Sequence, residues 1–137
     1  MKVIRKNLLS VTSGIICHQC NAKGVMGAGI AKVIRDKWPR VYQLYRKADL
    51  ELGLVIPVKV SESLWVYNVV GQYGYGRRGM YTDYGAITKA FTKIDKRRGN
   101  KQVYIPYGMG CGLAGGDWAK YSSIIDEVCP GVIACKI

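Results

Sequence analysis

Two glycine-rich segments, each lying between an apolar stretch and an amphipathic one, constrain the fold of this sequence most strongly. The first is KGVMGAG at residues 23–29, and the second is GMGCGLAGG at residues 108–116. Glycines permit positive φ and expose main-chain amides, and a helix N-terminus that follows them attracts an anion. The first segment has neither the P-loop pattern nor the dinucleotide fingerprint. Either segment alone is explained equally well by a tight turn, whereas the pair favours a ligand held between them, such as a diphosphate linking two sugars.

Apolar stretches alternate with helical patterns along the chain. We predict helices at residues 29–38, 41–52, 84–98 and 117–128, and strands at residues 2–5, 14–17, 54–60, 64–70, 102–106 and 131–137. This alternation predicts an α/β sandwich around a mostly parallel sheet. Ligands of such sheets bind at the carboxyl ends of the strands, where both glycine-rich segments would lie.

The composition fits one domain spanning residues 1–137. The chain has 21 Lys and Arg against 9 Asp and Glu, a formal charge of +12. Such a charge indicates an anionic partner: a nucleic acid, a nucleotide or a phosphorylated sugar. Scattered cysteines and the lack of a signal peptide or a long apolar run predict a cytoplasmic protein with reduced thiols and no membrane association. We expect a monomer that uses no metal or other cofactor.

Two titratable side chains lie beside the glycine-rich segments. His18, the single histidine, precedes the first segment and could exchange protons near neutral pH. Asp117 follows the second segment and could activate water or orient His18. Each residue also has a plainer interpretation, since His18 can be hydrogen-bonded as a neutral group within a strand and Asp117 can cap a helix. Zinc or redox chemistry at residues 17–20 is disfavoured because no second cysteine pair lies nearby.

The segment GQYGYGRRGMYTD, residues 71–83, interleaves tyrosine with arginine. Such a pattern can stack on nucleic-acid bases, or it can cover a nucleotide sugar with an arginine near its terminal phosphate. We expect a lid in which Arg77 or Arg78 steadies a phosphate, and the sequence does not choose between the two. The alternative is a solvated loop whose tyrosines fold onto the core.

Three segments, taken in this order, resemble the macrodomain family: HQCNAKGVMGAGIAKVIRDKWP, VVGQYGYGRRGMYTDYGAITKAF and IPYGMGCGLAGGDW. They are most similar to the small stand-alone branch that includes ADP-ribose 1''-phosphate phosphatases and terminal ADP-ribose hydrolases. The resemblance extends over about residues 6–128. It implies a three-layer α/β/α sandwich with a mixed, mostly parallel central sheet. It also implies that ADP-ribose binds across the strand ends.

The resemblance assigns residues to parts of the ligand. Asn21 would position the distal ribose, and Asn7 would offer its carbonyl oxygen to the adenine amino group, where the family often has an aspartate. The diphosphate and the distal ribose would be wrapped by Gly27, Ala28, Gly29, Ile30 and Ala31. The opposite wall would consist of Gly108, Met109, Gly110, Cys111, Gly112 and Leu113.

Two departures from the family pattern bear on activity. The terminal hydrolase has a lysine roughly where Gln72 stands and an aspartate where Ala114 stands, so its Schiff-base mechanism does not carry over. We expect binding of ADP-ribose and hydrolysis of ADP-ribose 1''-phosphate to ADP-ribose and phosphate. The catalytic residues would be His18, Asp117 and Asn21, with Arg77 at the phosphate.

Other functions fit the same residues. One alternative is an ADP-ribosyl hydrolase acting on a protein, nucleic-acid or O-acetyl-ADP-ribose substrate. Another is a module that binds ADP-ribose or nucleic acid without turnover, although nucleic acid is the less favoured partner. The compact chain would suit a phage or bacterial protein.

Overall fold

A computed structural model describes residues 1–76 and 79–137 of the chain. The strands in this part are β1 (Lys2–Arg5), β2 (Gly14–Asn21), β3 (Val55–Lys59), β4 (Leu64–Gln72), β5 (Val103–Pro106) and β6 (Ile133–Lys136). The α-helices are α1 (Gly29–Lys37), α2 (Pro39–Lys47), α3 (Tyr84–Arg97) and α4 (Trp118–Val128). A short 3-10 helix at Leu8–Ser10 follows β1 and has no counterpart among the predicted elements.

The strands form one sheet in the order β1-β6-β5-β2-β4-β3. All neighbouring pairs are parallel except β3 and β4, which are antiparallel. The carboxyl ends of the parallel strands therefore meet at one edge, and both glycine-rich segments start from that edge. The predicted mixed, mostly parallel sheet is confirmed.

Helices cover both faces of the sheet, as alternation along the central strand requires. Ile16 and Cys20 of β2 pack in the cluster that contains the buried side chains of α1 and α2. Ile15 and Cys17 pack in the opposite cluster, with the buried side chains of α3 and α4. The three-layer α/β/α sandwich is thus confirmed, with one apolar core on each side of the sheet.

Strand β2 is longer than its apolar residues predict. It was expected to end at Cys17, but its pairing with β4 continues through His18↔Asn68 to Asn21↔Gln72. The polar residues stay in the strand because β4 satisfies their main-chain groups. This extension changes the surroundings of every residue from His18 to Asn21.

Helix α2 is shorter than predicted, ending at Lys47 rather than at residue 52. Pro39 occupies its first turn, the position where a missing amide hydrogen costs least. Within the described ranges, no helix combines the length and the apolar character that crossing a bilayer requires.

Candidate functional site

A cleft of about 540 Å³ opens at the carboxyl ends of β2 and β4. This volume lies in the range of small-molecule sites. Strand ends contribute Gln19, Cys20, Asn21 and Gln72, and the loop after β4 contributes Tyr75 and Gly76. The remaining lining comes from the two glycine-rich segments and α1: Val25, Met26, Gly27, Ala28 and Ala31 on one wall, and Leu113 and Ala114 on the other. Both segments therefore reach the same cleft.

Helix α1 begins at this cleft without a side-chain cap. Its N-cap residue, Ala28, has the extended φ of −146° and ψ of 158° typical of a cap but no side-chain acceptor, and the first turn contains no acidic residue. By contrast, α3 and α4 are both capped: Asp83 accepts from the Ala86 amide at 2.9 Å and Asp117 from the Lys120 amide at 3.2 Å. The first amides of α1 thus remain available to an anionic group from outside the helix.

Asn21 organises the first glycine-rich segment. Its Oδ1 accepts the Lys23 amide at 2.9 Å and the Val25 amide at 3.3 Å, and its Nδ2 donates to the Val25 carbonyl at 2.8 Å. The side chain is 8% exposed, so most of its polar capacity is used within the protein. The structure therefore gives Asn21 a place in the lining, together with a structural task that the sequence did not reveal.

The floor of the cleft holds a polar cluster centred on Gln19, which sequence reasoning missed. Gln19 Nε2 donates to Gln72 Oε1 at 2.8 Å and to Thr82 Oγ1 at 2.9 Å, while its Oε1 accepts the Tyr121 hydroxyl at 2.8 Å. Thr82 in turn donates to the Gly110 carbonyl at 2.6 Å. These bonds connect β2, β4 and α4 with the second glycine-rich segment.

The second segment lies mostly behind the cleft wall. Leu113 lines the cleft as predicted, but Gly108, Met109, Gly110, Cys111 and Gly112 are not in the lining. Met109 is buried in the core below α4, and burial raises the pKa of the Cys111 thiol to about 11, which keeps it protonated at neutral pH. These five residues lie outside the lining, and their direct contact with a ligand stays a prediction.

More of the predicted residues of the first glycine-rich segment and the start of α1 line the cleft. Gly27, Ala28 and Ala31 line the cleft. Gly29 and Ile30 do not contribute to the lining, although as the first residues of α1 they lie between lining residues. The main-chain amides of this turn remain the strongest candidates for binding an anion.

His18 is not in the cleft, contrary to its expected role as a catalytic acid or base. It is fully buried within β2, and its Nε2 lies 2.6 Å from Asn68 Oδ1. Burial lowers the pKa of His18 to about 4, against a smaller raising effect of Asn68. Asn68 Nδ2 donates to the Val41 carbonyl of α2, so this pair belongs to the core beneath that helix. The plainer interpretation, a neutral histidine within a strand, describes this environment.

Asp117 also lies outside the cleft lining. It caps α4, and its amide donates to the Tyr84 hydroxyl at 2.8 Å. Because His18 faces α2 and Asp117 begins α4, the sheet separates the two side chains. The structure does not bring together the catalytic pair that the sequence suggested.

The remaining predicted residues have mixed outcomes. Asn7 is not in the cleft lining, and its Oδ1 accepts the Leu9 amide at 3.0 Å as the cap of the 3-10 helix. Arg77 and Arg78 lie outside the described residues. From the same loop, Tyr75 lines the cleft, and Lys23 Nζ lies 4.3 Å from the centre of the Tyr73 ring.

In the part of the chain that is described, no three His, Cys, Asp or Glu side chains are grouped as a metal site requires.

Comparison with solved structures identifies the fold. No family model matches the sequence. A macrodomain protein from Streptomyces coelicolor is 26% identical and superposes with a TM-score of 0.81, over 99% of this chain and 98% of that one. This chain has the macrodomain fold. A Bacteroides thetaiotaomicron protein of unknown function is also similar, with a TM-score of 0.88 and 27% identity over 99% of this macrodomain and 97% of that chain.

Two further relatives carry functional names. Thermosipho africanus DarTG, solved in complex with ADP-ribose, shares the fold with a TM-score of 0.72 and 20% identity, over 91% of this macrodomain and 38% of that chain. The ADP-ribose 1''-phosphate phosphatase of Scheffersomyces stipitis is 46% identical over 39 residues, which are 28% of this chain. That match spans only 22% of the phosphatase.

Proposed function

We propose that this macrodomain binds ADP-ribose in the cleft, with the diphosphate at the N-terminus of α1. The observation that supports this most is that α1 starts in the lining without a side-chain cap. Helix α2 also lacks such a cap but starts outside the lining, and α3 and α4 have aspartate caps. Several free amides and the helix dipole together favour a doubly charged linker over a neutral group. The formal charge of +12 adds a long-range attraction for any anion.

The remainder of the cleft suits the uncharged parts of the same ligand. Tyr75 and Leu113 both line the cleft and are 58% and 62% exposed. A ribose or a base packed against these side chains would bury apolar surface. The DarTG structure supports the choice, since a protein with this fold has been solved with ADP-ribose bound.

Calorimetric titration with ADP-ribose tests this proposal. We expect one molecule bound per chain, and we expect Ala28→Asp to weaken binding at least about tenfold because a carboxylate would occupy the free amides and repel the diphosphate. Ala119→Asp is the matched control, since it adds the same charge to the first turn of α4, outside the cleft. Absence of binding by the wild type would refute the proposal. Equal losses in both variants would refute the placement of the diphosphate.

Hydrolysis of ADP-ribose 1''-phosphate is the second proposed function. Its support is the similarity to curated phosphatases, 46% over 39 residues and 42% over 36 residues. Among the described residues, the cleft lining contains no carboxylate, imidazole or ammonium group. Turnover would therefore depend on the amide of Gln72, the Tyr75 hydroxyl and bound water, rather than on His18 or Asp117.

Phosphate release from ADP-ribose 1''-phosphate tests this second function. We expect His18→Ala and Asp117→Ala to retain turnover in proportion to their folded fraction, and Gln72→Ala to lose most of it. No release by the wild type would leave binding as the function. A parallel panel of ADP-ribosylated protein, ADP-ribosylated nucleic acid and O-acetyl-ADP-ribose would detect another hydrolase activity.

A further inference from the structure

One end of the hydrogen-bonded cluster in the cleft floor is the main-chain carbonyl of Gly110. This carbonyl determines which of the other groups donate and which accept. The Gly110 carbonyl can only accept, so the 2.6 Å contact uses the single hydroxyl hydrogen of Thr82. Thr82 Oγ1 must then accept from its other neighbour, Gln19, at 2.9 Å. This places the amide nitrogen of Gln19, not its oxygen, toward Thr82.

The same reasoning continues to the other end of the chain of bonds. With its nitrogen toward Thr82, Gln19 uses its second amide hydrogen on Gln72 Oε1 at 2.8 Å, and its own oxygen accepts from Tyr121. Gln72 therefore turns its nitrogen to the Gly74 carbonyl, which it reaches at 2.7 Å. Two carbonyls that can only accept thus determine the orientation of both glutamine amides.

Two glycines leave the space that the side-chain amide of Gln19 occupies. A Cβ at Gly71 would lie 2.8 Å from Gln19 Oε1, and a Cβ at Gly110 would lie 2.7 Å from the same atom. Real Cβ atoms essentially never approach so closely, so the amide of Gln19 occupies space that only glycines leave open. With three hydrogen bonds and this packing, Gln19 has little freedom to rotate.

We infer that these bonds make Gln72 a directed hydrogen-bond donor to the ligand, and that Gln19 and Thr82 are positioning residues that set its direction. Gln72 lines the cleft, and its Nε2 has two hydrogens, of which the Gly74 carbonyl takes one. A neutral donor selects ligands that present a phosphoryl or hydroxyl oxygen at this point. The inference rests on the proposed binding of ADP-ribose.

Paired substitutions at Thr82 and Gln72, with ADP-ribose affinity measured by calorimetry, test the inference. Thr82→Val keeps the shape but removes the hydroxyl, and we expect about five- to tenfold weaker binding, whereas Thr82→Ser keeps the hydroxyl and stays within about twofold of the wild type. Gln72→Met, which removes the donor, weakens binding about tenfold. Gln72→Glu, which replaces the donor with an anionic acceptor, weakens it further.

The double variant separates positioning from general damage to the fold. If Thr82 acts through Gln72, then Thr82→Val costs no more than about twofold once Gln72 is Met. Fully additive losses, or a Gln72→Met variant that binds like the wild type, would overturn the inference while leaving ADP-ribose binding intact. A wild-type protein that does not bind ADP-ribose would refute the proposed function itself, and with it this inference.

Discussion

The hydroxyl group of Tyr45 on α2 lies 2.9 Å from Asn21 Oδ1 and 2.5 Å from the main-chain oxygen of Asn21. Tyr45 is fully buried, so these contacts replace water for both residues. Asn21 in turn holds the first glycine-rich segment through its bonds to Lys23 and Val25. One wall of the cleft is therefore anchored to a helix in the core through a single asparagine.

Tyr45→Phe tests this anchor, because it keeps the ring and removes only the hydroxyl. We expect a loss of about 1–2 kcal/mol in the free energy of unfolding and weaker binding of ADP-ribose, since Asn21 would lose a buried partner. Urea denaturation and calorimetry measure the two effects. Tyr42→Phe on the same helix is the control, and an equal loss of affinity there would contradict the anchoring role.

Gly110 is one of the positions in the second segment where a side chain has no room. Its φ is +74°, and a Cβ there would lie 2.5 Å from Tyr121 Cε2 and 2.9 Å from Thr82 Oγ1. We expect Gly110→Ala to destabilise the fold by about 2–4 kcal/mol, through backbone strain and overpacking. Gly112→Ala, with nothing within 4 Å of the added Cβ, should change stability far less. Similar thermal midpoints for the two variants would contradict this account of the wall.

Ala28→Ser separates stability from binding at the start of α1. A serine at an N-cap stabilises a helix by about 1 kcal/mol, so the melting temperature should rise. The same hydroxyl competes with the ligand for the helix amides, so the affinity for ADP-ribose should fall. Thermal denaturation with and without ADP-ribose measures both effects, and a rise in affinity would contradict the proposed position of the diphosphate.

His18 predicts a dependence of stability on pH. Its pKa is lowered to about 4 by burial, so between that pH and its ordinary value of 6.5 the unfolded chain takes up a proton that the folded chain does not. Stability should therefore fall as the pH drops through this window, by about 3 kcal/mol in all. Denaturant titrations from pH 7 to pH 4 measure it, and His18→Gln should lack this contribution. If the free energy of unfolding depended on pH in the same way in the wild type and in His18→Gln, the lowered pKa of His18 would be contradicted.

Asp117→Ala distinguishes a cap from a catalytic residue. Loss of the bond to the Lys120 amide should cost about 1 kcal/mol of stability. Affinity for ADP-ribose should stay unchanged because Asp117 lies outside the cleft lining. A large loss of affinity in a variant that is still folded would show that Asp117 belongs to the binding site.

The alternation of elements and the position of the cleft could be predicted because they follow from local patterns. Apolar runs, helical spacing and glycine content are each visible in a single segment. Gly27, Ala28, Ala31 and Leu113, which the resemblance assigns to ligand binding, lie in the lining, and their contact with a ligand stays a prediction. His18 could not be placed in the same way. Its environment depends on the pairing of β2 with β4, which joins residues far apart in sequence and extends the strand through His18.

Gln19 was missed for a related reason. Period-two alternation from Ile15 and Cys17 would have placed it on the same face of β2, at the carboxyl end of the strand. However, the apolar pattern stops at Cys17, so the sequence predicts that the strand ends at that residue. Its hydrogen-bond partners Gln72, Thr82 and Tyr121 come from three other parts of the chain, and no local sequence pattern predicts that they contact one another.

A titration of the isotope-labelled protein with ADP-ribose, followed through its main-chain amide resonances, tests the central claim most directly. We predict that the largest shifts occur at Gly27 to Ala31, at the start of α1, with further shifts at Leu113 and Ala114 on the facing wall. Saturation without shifts at the α1 N-terminus, or shifts concentrated on the last turn of α3, which carries Lys96 and Arg97, would contradict the account.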